Sequence, residues 1–127
     1  MILLDSSVVL WSVSDPERIG PQTRAAITRS SPRYVSSVTH VELVITAMTG
    51  RLRIPDDLGE VLEAHGLTTL PFTEEHAQAV ALFPELAAHD PFDRMLAAQA
   101  ASEGLELITS NRVLLGLDRP WISDCTT

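Results

Sequence analysis

The chain has a single cysteine, Cys125, and no lysine at all. One thiol excludes a disulfide framework within the chain and a cysteine-based zinc site, and it fits a reduced compartment such as the cytoplasm. No apolar run approaches the length that spans a bilayer, so no membrane segment is expected. The first residues, Met1-Ile2-Leu3-Leu4-Asp5, have no basic region followed by a long apolar segment, so a signal peptide is not expected either. Positive charge is scarce: nine arginines stand against 17 acids, for a formal net charge of −8. Taken alone, that balance argues against a non-specific nucleic-acid binder, which normally presents a basic face. It leaves room for a site whose acids hold divalent cations, because a loaded site is no longer negative and the ions recruit phosphate.

What is present is a chain of 127 residues, 45% of them hydrophobic. That is enough for one domain, residues 1–127, with a single sizeable core and no staples. The most informative stretch is Asp90-Pro91-Phe92-Asp93-Arg94-Met95-Leu96-Ala97-Ala98. Asp90 has the chemistry of an N-cap, and Pro91 follows at the first helical position, where a missing N–H costs nothing. Asp93 falls in the first turn, so both carboxylates lie at the positive end of the helix dipole. Half of this has a bland explanation, since acids there are ordinarily stabilising by a few tenths to about 1 kcal/mol. The residues beyond, Met95 to Ala101, make the helix too apolar for the surface. A buried helix with two acids at its mouth suggests a site.

Elsewhere, Ile2-Leu3-Leu4 reads as a central buried strand ending at Asp5, and Ser7 to about Val13 as a helix. Asp5 can be an N-cap for that helix, although Ser6 or Ser7 could cap it equally well. A second helix runs from Pro21 to about Arg29, and Tyr34-Val35-Ser36 is a second strand. Val38, Val41, Ile45 and Met48 form one apolar stripe on a helix from about Val38 to Met48. Glu42 borders that stripe in a segment nearly apolar all round, where an unpaired acid is too costly to bury. His40 reads as structural. A helix capped by Asp56 or Asp57 runs to about His65 and is closed by Gly66. Leu67 to Phe72 is a third strand, and Thr73 opens a capping-box helix through Phe83. Leu105 to Thr109 is a fourth strand ending at Ser110-Asn111-Arg112, and Trp121-Ile122 a short last one. Short strands alternating with helices argue for a parallel α/β sandwich.

Right-handed crossovers bring strand C-termini to one edge of a parallel sheet. Asp5, Asp93 with Asp90, Asn111 and Glu42 are then expected to converge. Two carboxylates about 4 Å apart repel by roughly 4 kcal/mol at an effective dielectric of 20, so three or four together call for a cation. Oxygen donors without cysteine or a clear histidine pair suit magnesium or manganese.

These residues also resemble a family. Asp5 after a short apolar strand, Glu42 in an apolar helix, Asp93 before Leu96-Ala97-Ala98 and Thr109-Ser110-Asn111 after the last long strand look like the PIN-domain pattern. His89-Asp90-Pro91-Phe92-Asp93-Arg94, with Asp15-Pro16-Glu17-Arg18 upstream, resembles the PIN-domain toxins of the VapC type. The resemblance covers essentially the whole chain. It implies a three-layer sandwich with a mainly parallel, short-stranded sheet. It further implies a magnesium-dependent ribonuclease, manganese being an alternative, inhibited by a VapB-type antitoxin and often dimeric. By motif, Asp5, Glu42 and Asp93 match the core acids and Asp90 an additional one. Asn111 stands where many members carry a fourth aspartate, which removes a formal charge. Asn111 and Ser7 are then supporting groups, with Ser6 and Ser7 holding Asp5. Arg94 is either a phosphate contact or a salt-bridge partner of Asp90, and His89 either a proton shuttle or structural.

Two other enzyme classes fit less well. A haloacid-dehalogenase-like phosphatase wants a second acid where Ser7 stands, and an HD-type hydrolase wants further histidines in a helical fold. The remaining rival is an inactive PIN-like module that serves only to bind a partner.

Overall fold

The computed structural model describes residues 1–127. Five strands form one sheet in the order β3-β2-β1-β4-β5: β1 Ile2–Leu4, β2 Arg33–Ser36, β3 Leu67–Leu70, β4 Glu106–Thr109 and β5 Ile122–Asp124. Every pairing is parallel. The helices are α1 Ser6–Ser14, α2 Pro21–Arg29, α3 Ser37–Met48, α4 Leu58–Ala64, α5 Glu74–Ala79, α6 Pro91–Glu103 and α7 Arg112–Leu115.

The unbroken apolar run Ile2-Leu3-Leu4 is explained by its central place. Alternate side chains of a strand point to opposite faces, and both faces of this sheet are covered. Leu3 and Leu107, paired in register, enter a core with Val38 of α3, Leu96 and Ala97 of α6 and Leu114 of α7. Ile2, Leu4, Val35 and Ile108 enter the other, with Val8 and Val9 of α1 and Leu62 of α4. The result is the three-layer sandwich expected from the sequence.

Four local expectations need correction. The third strand stops at Leu70, because Pro71 cannot continue a ladder. The helix expected through Phe83 ends at Ala79 and tightens into a 3-10 turn, Val80–Leu82. Pro84 accounts for this, since it disfavours helical backbone at Phe83, which has φ −121° and ψ 61°. A short helix, α7, follows Asn111 where no helix was expected. Finally, the stripe on α3 is not buried as a stripe: Val38 is, but Val41, Ile45 and Met48 are 52%, 45% and 81% exposed. The covered side of α3 is instead Thr39 and Leu43.

Strand order reverses direction at β1: the chain moves outward through β2 and β3, then returns to add β4 on the other side. A crevice outside the strand C-termini is expected at such a switch point.

Candidate active site

Asp5 leaves β1 at that switch point, and its own N–H extends the ladder to Ile108 O (3.0 Å). It caps α1, with Oδ1 accepting from Ser6 N at 2.7 Å. Oδ2 accepts from Thr109 Oγ1 at 2.5 Å. Ser6 and Ser7 are not the caps, and the hydroxyl that holds Asp5 is neither of theirs. Ser7 Oγ lies 2.9 Å from Ser110 Oγ, and Ser6 Oγ donates to Glu42 Oε1 at 2.6 Å. Thr109 is the positioning residue the sequence reading missed. Its one visible signal was a hydroxyl at the C-terminal end of β4, directly across the switch from Asp5.

Asp90 caps α6 as expected, Oδ1 accepting from Phe92 N at 2.9 Å, with Pro91 at the first helical position. Leu96 to Ala100 are buried, so the helix is as internal as its composition suggested. Asp93, one turn in, is half-buried, and its Oδ2 accepts from Asn111 Nδ2 at 2.8 Å. Asn111 also caps α7, its Oδ1 accepting from Val113 N (2.8 Å) and Leu114 N (3.3 Å), and its own N–H donates to Thr109 Oγ1 at 2.9 Å. A single asparagine therefore ties α7, β4 and α6 together. An aspartate there would keep the cap but lose the donor that faces Asp93.

Asp5, Glu42, Asp90, Asp93 and Asn111, with Ser6, Ser7 and Ser110, line one cleft of about 220 Å³ that has no apolar wall. Burial, with the Asp5, Asp90 and Glu42 charges, pushes Asp93 up to about 7, against the pull of Asn111. Burial also raises Asp5, although the bonds from Thr109 and Ser6 act the other way, and it raises Glu42 in spite of Ser6. The carboxylates thus repel one another in a half-dry cleft. That is the electrostatic state a hard divalent cation would relieve, and the all-oxygen donor set suits one.

In this structure no group of three of these acids is arranged to hold an ion. Thr109, Ser6 and Asn111 each donate to one of the carboxylates.

Three remaining side chains fall elsewhere. Arg94 makes no salt bridge with Asp90, and its Nε is buried without a partner. His89 lines a neighbouring cleft instead of the acidic one. His40, its pKa lowered by burial, lies 3.5 Å from Thr69 Oγ1 and outside the acidic cleft.

Known proteins share the sequence pattern and the fold. Ribonuclease VapC22 of Mycobacterium tuberculosis is 28% identical over 115 residues, which are 89% of this chain and 88% of that protein. The structure superposes on DNA-bound VapBC from Salmonella typhimurium with a TM-score of 0.69 and 25% identity, covering 98% of each chain. VapBC2 from Rickettsia felis, bound to a DNA fragment from its promoter, gives 0.68 at 15% identity, again over 98% of each chain. The PIN-domain family model matches residues 2–119, from the strand that carries Asp5 past the asparagine that steadies Asp93, and the chain belongs to that family.

Proposed function

We propose that residues 1–127 form one catalytic unit, a metal-dependent endoribonuclease that acts as the toxin of a type II toxin–antitoxin pair. The observation that carries this is the meeting of Asp5, Glu42, Asp90 and Asp93 around one polar cleft at the switch point of a PIN-domain sheet. The named ribonuclease and the VapBC complexes among its relatives support the same reading.

Asp5 and Asp93 would hold a divalent ion, with Glu42 and Asp90 assisting. When bound, magnesium or manganese supplies a water of lowered pKa and a countercharge for the scissile phosphate. The chain's own part is orientation. Thr109 and the Ser6 amide fix both oxygens of Asp5, and Asn111 fixes one oxygen of Asp93. Such outer bonds set the direction of a ligand's lone pairs. Arg94 has no carboxylate partner, but it does not line the acidic cleft, so no phosphate contact is assigned to it.

The antitoxin and a second copy of the chain need apolar surface, and two patches supply it. One is the exposed face of α3, Val41, Val44, Ile45 and Met48. The other is a groove of about 200 Å³ walled by Val9, Leu10 and Val13 of α1 and by Ile54, Leu58 and Val61 around α4. The lone thiol, buried at Cys125, is consistent with a cytoplasmic protein. No helix is long and apolar enough to cross a membrane.

The test is RNA cleavage by the purified chain with magnesium or manganese, against EDTA and a folded Asp93→Ala variant. The expected result is metal-dependent cleavage that falls by about a hundredfold or more in the variant. The second reading, an inactive binding module, rests on Asn111 in place of a fourth acid. No cleavage of structured, single-stranded or transfer RNA, together with no metal binding by calorimetry, would establish that reading instead.

A further inference from the structure

The acidic cleft accounts for a scissile phosphate and its metal, but for nothing on either side of them. A second cleft of about 490 Å³ opens beside it. Its floor is apolar, with Leu86, Val113 and Leu117, and its rim carries His89, Arg112, Arg119 and Glu85. Two stretches of chain pass directly from one cleft to the other. Asp90 lines the acidic cleft and His89 the second, and Asn111 lines the acidic cleft and Arg112 the second. The two clefts are therefore lined by consecutive residues at both crossings.

Both guanidiniums are weakly engaged. Arg112 is 82% exposed and reaches Asp124 only at 3.6 Å. Arg119 donates from Nη1 to Leu117 O at 3.1 Å, which steadies it, while Nη2 stays 3.9 Å from Glu85. Exposed contacts of that length are worth little, so an incoming phosphate can replace them. In a chain of net charge −8, this cleft gathers two of the nine arginines, each with one loosely held carboxylate beside it, Asp124 and Glu85. Arg51 lines a cleft on the far side, but it shares that space with Glu42 and Asp90 and so faces acids. The volume also falls in the range of about 300–1,000 Å³ usual for small-ligand sites.

We propose that this cleft is a nucleotide subsite, taking a nucleotide of single-stranded RNA next to the scissile phosphate. Arg112 and Arg119 meet the flanking phosphate, and the base or ribose lies against Leu86, Val113 and Leu117. The proposal rests on the nuclease reading above.

Its test is an Arg112→Ala/Arg119→Ala double variant, checked for folding by circular dichroism. Cleavage kinetics on a single-stranded oligoribonucleotide would be measured with the metal that supports wild-type activity. Binding of the same RNA would be measured by anisotropy on an Asp93→Asn background. The double variant is expected to lose about tenfold in kcat/KM, with the loss carried in KM, and to bind about tenfold more weakly. The slope of log Kd against log salt should fall by about 1 to 1.4, since two phosphate contacts on a single strand are gone. Arg112→Lys/Arg119→Lys should recover the slope and only part of the affinity, because charge is kept and bidentate geometry is not. Unchanged Kd and slope beside normal wild-type cleavage would remove the subsite and leave the nuclease reading standing. A wild-type chain that neither binds nor cleaves RNA would remove both. Normal RNA binding with weakened affinity for the co-produced antitoxin would make the cleft a protein contact and overturn the proposal.

Discussion

Asp93 is the side chain on which most of the site's electrostatics falls. Its ordinary carboxyl value is raised to about 7 by burial and by three neighbouring charges. A carboxyl raised on folding leaves the native state holding more protons than the unfolded chain between the two values. Stability from this group is therefore present at low pH and is lost as pH rises from about 4 through 7. In metal-free protein, Asp93→Asn should stabilise the fold at about pH 8 and have little effect near pH 4. The side chain is only half-buried, so solvent screening limits the gain to about 1 kcal/mol; urea unfolding in EDTA at both pH values measures it. Asn111 gives a second test at this scale. Asn111→Ala removes the α7 cap and the bond to Asp93 together and should cost about 1–2 kcal/mol. Asn111→Asp keeps the cap but sets a carboxylate against Asp93. It should raise the Asp93 pKa above 7, which NMR titration of metal-free protein would show.

Among the elements, α3 and the C-terminal segment illustrate two kinds of packing. Val41, Val44, Ile45 and Met48 recur at helical spacing, as a core-facing stripe would, yet they face outward. Spacing defines a face of a helix but not what covers it. Val41→Ser/Ile45→Ser should change stability by about 0.5 kcal/mol or less, because no core contact is lost. The same pair should weaken self-association or antitoxin binding, read by light scattering or calorimetry. The C-terminal segment shows the opposite case, a contact with no spare room. Gly20 N donates to Cys125 O at 2.8 Å and Gln22 N to Thr127 O at 3.2 Å. A Cβ at Gly20 would lie 2.2 Å from the Thr127 carbonyl carbon. The backbone there is ordinary, φ −62°, so glycine is required for space and not for conformation. Gly20→Ala should push the last residues off α2 and cost about 1–3 kcal/mol, seen as a lower urea midpoint.

For the molecule as a whole, the acids come from parts of the chain that only the folded sheet brings together: Asp5 after β1, Glu42 on α3, Asp90 and Asp93 on α6. A cation held by them stabilises the native state alone. Saturating magnesium or manganese, at about a hundred times Kd, should add about 2.7 kcal/mol of apparent stability. Thermal unfolding with and without EDTA would show it, and Asp93→Ala should abolish the difference.

Much of this architecture could be read locally. An apolar triplet ending in Asp5 is a buried strand with an acid at its end, and Asp90-Pro91 starts a helix whose alanines can only be internal. Both inferences hold because caps, proline and apolar runs act within a few residues of themselves. The Asp5–Thr109 bond joins positions 104 residues apart, and the Asp93–Asn111 bond joins two helix mouths. No local signal specifies such pairs, since they form only after strand order places β4 beside β1. The outward face of α3 was hidden for the same reason: burial belongs to whatever packs on a helix, and here the helices of this chain leave that face bare. Residue chemistry was thus enough to name the acids and the elements that carry them. Which hydroxyl holds each acid, and which surfaces stay open, followed from packing between distant segments.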